Sequence, residues 1–181
     1  AYSFDDTPSV TVEKVLDGSN PVASAIVDKT RLGDVHLIGS TLKLSTLERH
    51  LQLNAFSSTN FVKDKLRSVM SAYDVVVFDT PPSLGFLTAN AMAASDFVFI
   101  PVESGSKLSL IGTEDMLDFI RSAKSVNPNL QFGSAILTRH DARKKMCKIT
   151  SQAILDFYER VLDHTLPTST DVQKAQAEGK T

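Results

Sequence analysis

Apolar positions along the chain follow two spacings, which predict helices and strands in turn. Val62, Leu66 and Val69 lie four and three positions apart and, with the neighbouring Phe61 and Met70, form one apolar face of a helix. Val75–Phe78 is instead a continuous β-prone run between turn formers, which predicts a strand buried on both faces. The same criteria predict helices at about Val10–Leu16, Ser45–Leu53, Phe61–Met70, Gly85–Ala94, Leu108–Val126, Lys148–Val161 and after Ser169, and strands at about Val35–Gly39, Val75–Phe78, Phe97–Ile100, Phe132–Leu137 and His164–Leu166.

This order of elements predicts an α/β fold with a mostly parallel sheet flanked by helices. Strands that alternate with helices favour right-handed crossover connections, which place the strands side by side in one direction. The chain has 181 residues, the size of one ordinary domain, and shows no internal repeat and no linker-like stretch. We therefore expect a single α/β domain over residues 1–181.

The segment Asp79-Thr80-Pro81-Pro82-Ser83 follows the run Val75–Phe78 and carries the most distinctive chemistry. A carboxylate at the carboxyl end of a parallel strand lies where ligands bind to open sheets. The two prolines cannot continue a ladder and they fix φ, so the turn is stiff. Such a turn suits a hydrated Mg²⁺ beside nucleotide phosphates. From these five residues alone, an aspartate that caps the following helix is an equally open interpretation.

A second candidate is the basic turn, which we define as residues Thr138–Lys148. It carries five fixed positive charges against one negative charge and lies between a predicted strand end and a helix start. Cations in this position can neutralise DNA phosphates without reading sequence. The alternative is a solvated charged turn. Cations at a helix start oppose the helix dipole, which argues against a purely structural origin.

Composition limits the classes of function. The net charge of −2, with 42% hydrophobic and 22% charged residues, is that of an ordinary globular protein and gives no overall attraction to nucleic acid or membrane. Cys147 is the only cysteine, so an internal disulfide and a cysteine cluster for zinc or iron–sulfur are excluded. The four histidines have no spacing suited to a metal. No apolar run approaches the length of a transmembrane helix.

Several motifs together resemble the ParA family of DNA-partition ATPases, also called Soj-like, which are deviant P-loop proteins. The resemblance is strongest between Tyr73 and about Arg143 and looser elsewhere. It is carried by the stretches Tyr73–Gly85, Leu87–Ala91, Ala94–Asp96, Ile100–Glu103, Asn127–Leu130 and Ile136–Arg143, and by the turn Leu166-Pro167.

The resemblance implies a P-loop NTPase-like fold that binds ATP and Mg²⁺. In such a protein Asp79 holds the metal through water, Thr80 contributes to metal binding and γ-phosphate sensing, and the turn at Pro81 moves with nucleotide state. Thr138, Arg139 and Pro167 match positions that contact the nucleotide. The DNA-contacting positions match Arg143, Lys144, Lys145 and Lys148.

The same resemblance implies a cycle and a set of partners. A complete family member dimerises around nucleotide, binds DNA nonspecifically and is reset when a ParB-like centromere-binding protein stimulates hydrolysis. The implied location is cytoplasmic and nucleoid-associated, with no membrane attachment. The function expected from the resemblance is therefore plasmid or chromosome segregation.

The sequence departs from the family in two motifs. Neither the glycine-rich phosphate loop with its two lysines nor the first acidic motif occurs among the 181 residues. Gly179-Lys180-Thr181 is not such a loop, because Lys174 stands where the pattern requires glycine. We therefore expect a core fragment or a diverged member, with ATPase activity in the complete family member and no catalytic residue assigned in this chain. The alternative is a non-enzymatic interaction module of the same fold that has lost nucleotide binding.

Overall fold

The computed structural model describes residues 8–30, 33–53, 58–106 and 112–178. They fall into two compact units, which we treat separately: residues up to 94 together with those from 171 onward, and residues 95–170. The expectation of one domain stays a prediction.

The first unit is helical around its own apolar core. Its elements are α1 (Val12–Leu16), a 3₁₀ helix (Val22–Ala25), α2 (Leu44–Leu53), α3 (Phe61–Met70) and α4 (Phe86–Ala93). The buried core comprises Val15, Leu16, Val22, Ala25, Val62 and Leu66. Helix α3 has the predicted bounds because its apolar stripe packs against this core.

The second unit is a parallel βαβ arrangement followed by a helix. Its elements are β1 (Phe97–Glu103), α5 (Thr113–Val126), β2 (Gln131–Thr138) and α6 (Lys145–Phe157). The last helix, α7 (Thr170–Glu178), belongs from Asp171 onward to the first unit. Strands β1 and β2 pair from Phe97 opposite Gln131 to Glu103 opposite Thr138. Ala135 and Ile154 are completely buried at the centre of this unit. The predicted parallel sheet flanked by helices is confirmed.

Two boundaries differ from prediction for local reasons. Strand β1 continues through Pro101 to Glu103 instead of ending at the proline. A proline is tolerated in a strand that has an open edge, and among the described residues β1 has only β2 as a neighbour. Helix α6 starts at Lys145, three residues before the predicted start, and ends at Phe157, because Tyr158 has extended backbone.

Three predicted strands do not form as continuous strands. Residues 75–80 join no ladder within the described chain, and the side chains of Val75 and Val77 are 75% and 83% exposed. The prediction that Val75–Phe78 is a strand buried on both faces is therefore wrong here, since burial of a strand depends on neighbours that its own sequence does not specify.

The other two runs make only local pairings. The run Val35–Gly39 forms one antiparallel bridge, between Leu37 and Val27. The stretch around His164–Leu166 meets β2 at separate points, where Leu162 and Leu166 donate to the carbonyls of Ala135 and Leu137, both at 2.8 Å. A bend at 163–164 interrupts the ladder between these contacts.

Two further predictions concern residues outside the described ranges, namely the start of the predicted helix at Leu108 and the terminal Gly179-Lys180-Thr181. No helix in the described ranges is both long and apolar enough to cross a bilayer.

Candidate functional site

The Asp79 turn, residues Asp79–Ser83, is exposed and leads toward α4 in the first unit. No hydrogen bond or ion pair joins the Asp79 carboxylate to another residue of the described chain, so it is available to a hydrated cation. The helix-cap interpretation fails, because Gly85 is the N-cap of α4 and the Asp79 carboxylate accepts no hydrogen bond from the N–H groups of that helix. The role of the Asp79 carboxylate as a ligand of a hydrated cation stays a prediction.

Long-range contacts fix the end of this turn. The carboxylate of Glu48 in α2 accepts a hydrogen bond from the backbone N–H of Leu87 at 2.9 Å. The Thr88 hydroxyl donates to the carbonyl of Ser83 at 2.8 Å. The buried Asn90 side chain accepts from the N–H of Val62 at 3.2 Å, which ties α4 to α3. The Asp79 turn is therefore connected to α4, and hydrogen bonds of Glu48 and Asn90 connect α4 to α2 and α3.

Sequence reasoning missed Glu48 and Asn90. Thr88 and Asn90 are polar residues in the otherwise apolar α4, and this contrast is a usable signal for a buried polar contact. Nothing near Glu48 in the sequence indicates a partner 39 positions away.

We predict that Gly85→Ala destabilises the protein by about 1–2 kcal/mol, because a Cβ at Gly85 would lie 2.5 Å from the Glu48 carboxylate oxygen and displace it from Leu87. Urea unfolding measures the change. Gly105→Ala is the matched control, since its Cβ would make only an ordinary contact with the Cys147 sulfur at 3.6 Å. Equal stability of the two variants would contradict the assigned role of Glu48.

In the second unit the end of β2 lies beside the Pro167 turn. The N–H of His140 donates to the carbonyl of Leu166 at 3.0 Å, and the Thr168 hydroxyl donates to the carbonyl of Arg139 at 3.0 Å. Arg139 adopts a φ of 51°, in the left-handed region that non-glycine residues rarely occupy. The predicted nucleotide contacts Thr138, Arg139 and Pro167 are therefore brought together, whereas Asp79, Thr80 and Pro81 belong to the other unit.

Two side-chain interactions position the residues around Arg139. The Arg139 guanidinium lies 3.4 Å from the Glu103 carboxylate at the end of β1, and both side chains are exposed. Behind the turn, His140 Nδ1 lies 3.0 Å from the hydroxyl of the fully buried Ser104. Sequence reasoning did not identify the Ser104–His140 contact. Because Ser104 directly follows β1, this contact fixes the first residues of the basic turn at the end of β1.

Within the basic turn, Asp141 binds Arg143. Arg143 Nε and Nη2 lie 3.0 and 3.2 Å from the two carboxylate oxygens, and the Arg143 N–H donates to the same carboxylate at 3.1 Å. The hydrogen bond from the Arg143 side chain lowers the pKa of Asp141 to about 2, so this carboxylate is ionised throughout the neutral range. A phosphate must compete with Asp141 for Arg143, although the Arg143 side chain is 91% exposed.

The predicted DNA-contacting lysines have no such partner. Lys144 is the N-cap of α6, Lys145 its first residue, and Lys148 lies one turn further; all three are exposed. None of them forms a salt bridge within the described ranges. The structure therefore leaves three uncompensated cations at the start of α6.

No group of three or more histidine, cysteine, aspartate or glutamate side chains that could hold a metal occurs in the part of the chain that the structure describes. A single exposed carboxylate such as Asp79 fits the way Mg²⁺ is bound beside nucleotides, with one or two carboxylates, water and phosphate oxygens as ligands. The residues at the Asp79 turn thus fit a nucleotide-bound magnesium and do not fit a metal held by protein side chains alone.

The β1–α5–β2 unit, the parallel register and the flanking helices define an α/β protein of the P-loop NTPase type. A family model described as an AAA domain matches residues 4–132. The chromosome partitioning protein ParA of Caulobacter vibrioides is 32% identical over 174 residues, which cover 94% of this chain and 64% of that protein. The sporulation initiation inhibitor protein Soj of Bacillus subtilis is 31% identical, with 86% and 61% covered.

Two solved structures share the fold of this chain. Cobyrinic acid a,c-diamide synthase from Mycobacterium smegmatis, with bound ATP analog and magnesium, superposes with a TM-score of 0.81 at 28% identity, covering 92% of this chain and 67% of that chain. A putative plasmid partition protein from Borrelia burgdorferi bound to AMPPNP gives a TM-score of 0.77 at 25% identity, covering 94% and 66%.

The chain belongs to the AAA-domain family that matches it and, within that family, to the ParA proteins, as the motifs around Asp79 predict. It spans less than two thirds of the length of the ParA and Soj relatives.

Proposed function

We propose that the protein containing this chain is a partition ATPase that binds ATP with Mg²⁺. The observation that carries the proposal is the Asp79 carboxylate, which is exposed, engages no other described residue and is followed by a double-proline turn tied to α4. Membership of the ParA family supports it, as do two similar proteins whose structures contain an ATP analog.

Each site residue has a proposed role. Asp79 holds the hydrated metal, and Thr80 supplies a hydroxyl beside it. Pro81 keeps the turn stiff, so that its position can report the presence of the γ-phosphate. Bound Mg²⁺ neutralises phosphate charge. Thr138, Arg139 and Pro167 contact the nucleotide at the end of β2, where Glu103 orients the Arg139 guanidinium.

The proposed cycle also requires DNA and protein partners. The exposed cations Arg143, Lys144, Lys145 and Lys148 bind DNA phosphates nonspecifically. Two copies pair around nucleotide, and a ParB-like centromere-binding protein stimulates hydrolysis and releases the DNA. The protein then acts in the cytoplasm, on the nucleoid, and segregates a plasmid or chromosome. The other candidate function is a non-enzymatic module that binds DNA or protein without nucleotide, which the exposed lysines at the start of α6, unpaired within the described chain, would serve equally well.

Metal removal distinguishes the two functions. For the protein as its gene encodes it, we expect the affinity for ATP, measured by calorimetry, to fall at least about tenfold when EDTA replaces Mg²⁺, because the phosphates then repel Asp79 directly. Binding of duplex DNA should require ATP and Mg²⁺ together. DNA binding of equal strength without nucleotide, combined with no measurable ATP affinity, would establish the non-enzymatic module instead.

A further inference from the structure

Ser104, the residue that follows β1, contacts both neighbours of Arg139. Its backbone N–H donates to the carbonyl of Thr138 at 3.1 Å. Its hydroxyl oxygen, which is fully buried, lies 3.0 Å from Nδ1 of His140. Ser104 is therefore bonded through its backbone to the residue before Arg139 and through its side chain to the residue after it. One buried residue thus restrains both sides of a predicted nucleotide contact.

The backbone between these two contacts has a conformation that needs restraint. Arg139 has a φ of 51°, in the left-handed region, which the Cβ of a non-glycine residue disfavours by about tenfold. Without restraint, Arg139 would mostly adopt other conformations, and its guanidinium would point elsewhere. In the observed conformation the guanidinium lies 3.4 Å from the carboxylate of Glu103, the residue before Ser104. The backbone and the side chain of Arg139 are therefore both fixed from the end of β1.

Further contacts fix His140, so it can transmit this restraint. Its backbone N–H donates to the carbonyl of Leu166 at 3.0 Å, and its carbonyl accepts from the N–H of Thr168 at 3.3 Å. Its Nδ1 also lies 3.4 Å from the hydroxyl of Ser151 in α6. The hydroxyl of Ser104 is the nearer of the two, and it belongs to the same strand end as the carboxylate that engages Arg139. The Ser104–His140 hydrogen bond is therefore the side-chain contact best placed to hold the bend at Arg139.

We propose that Ser104 and His140 are positioning residues for ATP: their hydrogen bond keeps Arg139 in the left-handed conformation in which it contacts the nucleotide. The inference rests on the proposed function, in which Arg139 contacts ATP, and adds two residues that touch no part of the nucleotide. A group already in its bound conformation needs no reorganisation when the ligand arrives, and the apparent affinity falls in proportion when that conformation is less populated. Loss of the hydrogen bond therefore weakens ATP binding from a distance.

Calorimetric titration of ATP and Mg²⁺ into the protein as its gene encodes it tests this role. We expect Ser104→Ala and His140→Leu each to raise the ATP dissociation constant about tenfold, and the double variant to raise it no further, because both remove the same hydrogen bond. His140→Asn should recover most of the affinity, since its carboxamide places a polar atom at the position of Nδ1. Ser134→Ala is the matched control, because Ser134 is a buried serine of β2 whose hydroxyl donates to the carbonyl of Ala135 at 3.1 Å, and its loss should leave the dissociation constant unchanged.

The same titration separates positioning from stability. Circular dichroism and urea unfolding verify that each variant is folded under the conditions used, and in folded protein a contact that only stabilises leaves the dissociation constant unchanged. Wild-type affinity in Ser104→Ala, additive losses in the double variant, or a His140→Asn protein as weak as His140→Leu would each overturn the inference and leave the proposed function intact. A wild-type protein with no measurable affinity for ATP would overturn the proposed function, and this inference with it.

Discussion

Asp79→Ala is expected to lower the ATP turnover of the protein as its gene encodes it by at least about 100-fold. The carboxylate is the exposed oxygen ligand at the end of the extended segment 75–80, and within the described chain it bonds to no other residue. Its removal takes away the group proposed to hold the hydrated metal. Phosphate release under saturating ATP and Mg²⁺ measures the loss.

The stability of the same variant separates chemistry from folding. Since the Asp79 side chain is exposed and unbonded, its free energy of unfolding should stay within about 0.5 kcal/mol of the wild type. Asp74→Ala is the matched control, because Asp74 is an exposed carboxylate at the start of the same run. Retained turnover in Asp79→Ala, or an equal loss in Asp74→Ala, would show that Asp79 does not hold the metal.

Replacing Arg143, Lys144 and Lys145 together with alanine is expected to weaken duplex binding to the same extent for unrelated DNA sequences. Each lost phosphate contact should also flatten the slope of log affinity against log salt by about 0.9, which gives about 1.8 for the two unpaired lysines and more only if Arg143 leaves Asp141 for a phosphate. Fluorescence anisotropy with two unrelated duplexes over a salt series gives both quantities. The reason for equal weakening is that phosphate contacts carry no base information.

Two controls distinguish a local contact from a change in net charge. Removing Lys63, Arg67 and Lys124, three exposed cations on α3 and α5, changes the charge equally and should leave the slope nearly unchanged. Asp141→Asn should strengthen binding, because it removes the carboxylate that engages Arg143. An unchanged slope in the first triple variant would mean that the basic turn is only a solvated surface. Loss for one duplex but not the other would indicate base readout.

The sequence was sufficient wherever a local pattern determines the structure. The stripe from Phe61 to Met70 predicted α3 with its observed bounds, and the motifs around Asp79 predicted the family. Prediction from the sequence failed where a segment's structure depends on residues far away in the chain. The run Val75–Phe78 has the composition of a buried strand, yet only neighbouring strands can bury it, and none of the described residues pairs with it.

The contacts around the Asp79 turn and the basic turn were also not predictable where they join distant residues. The Glu48–Leu87 hydrogen bond and the Ser104–His140 contact join residues 39 and 36 positions apart. No local sequence pattern predicts either contact. The basic turn was recognised from its charges. The ion pair between Asp141 and Arg143, which reduces the number of available cations, depends on the conformation of the turn and not on its charges alone.

The exposed valines at 75 and 77 have a consequence for aggregation. Four consecutive β-prone residues with unpaired backbone groups are a template for adding strands from other molecules. Here Asp74 and Asp79 bracket the run directly, and Pro81 and Pro82 follow it. In-register stacking would place identical carboxylates about 4.8 Å apart, where they repel. A neutral residue at Asp79 would remove one of the two carboxylates that oppose such stacking and would leave Asp74 and the two prolines in place.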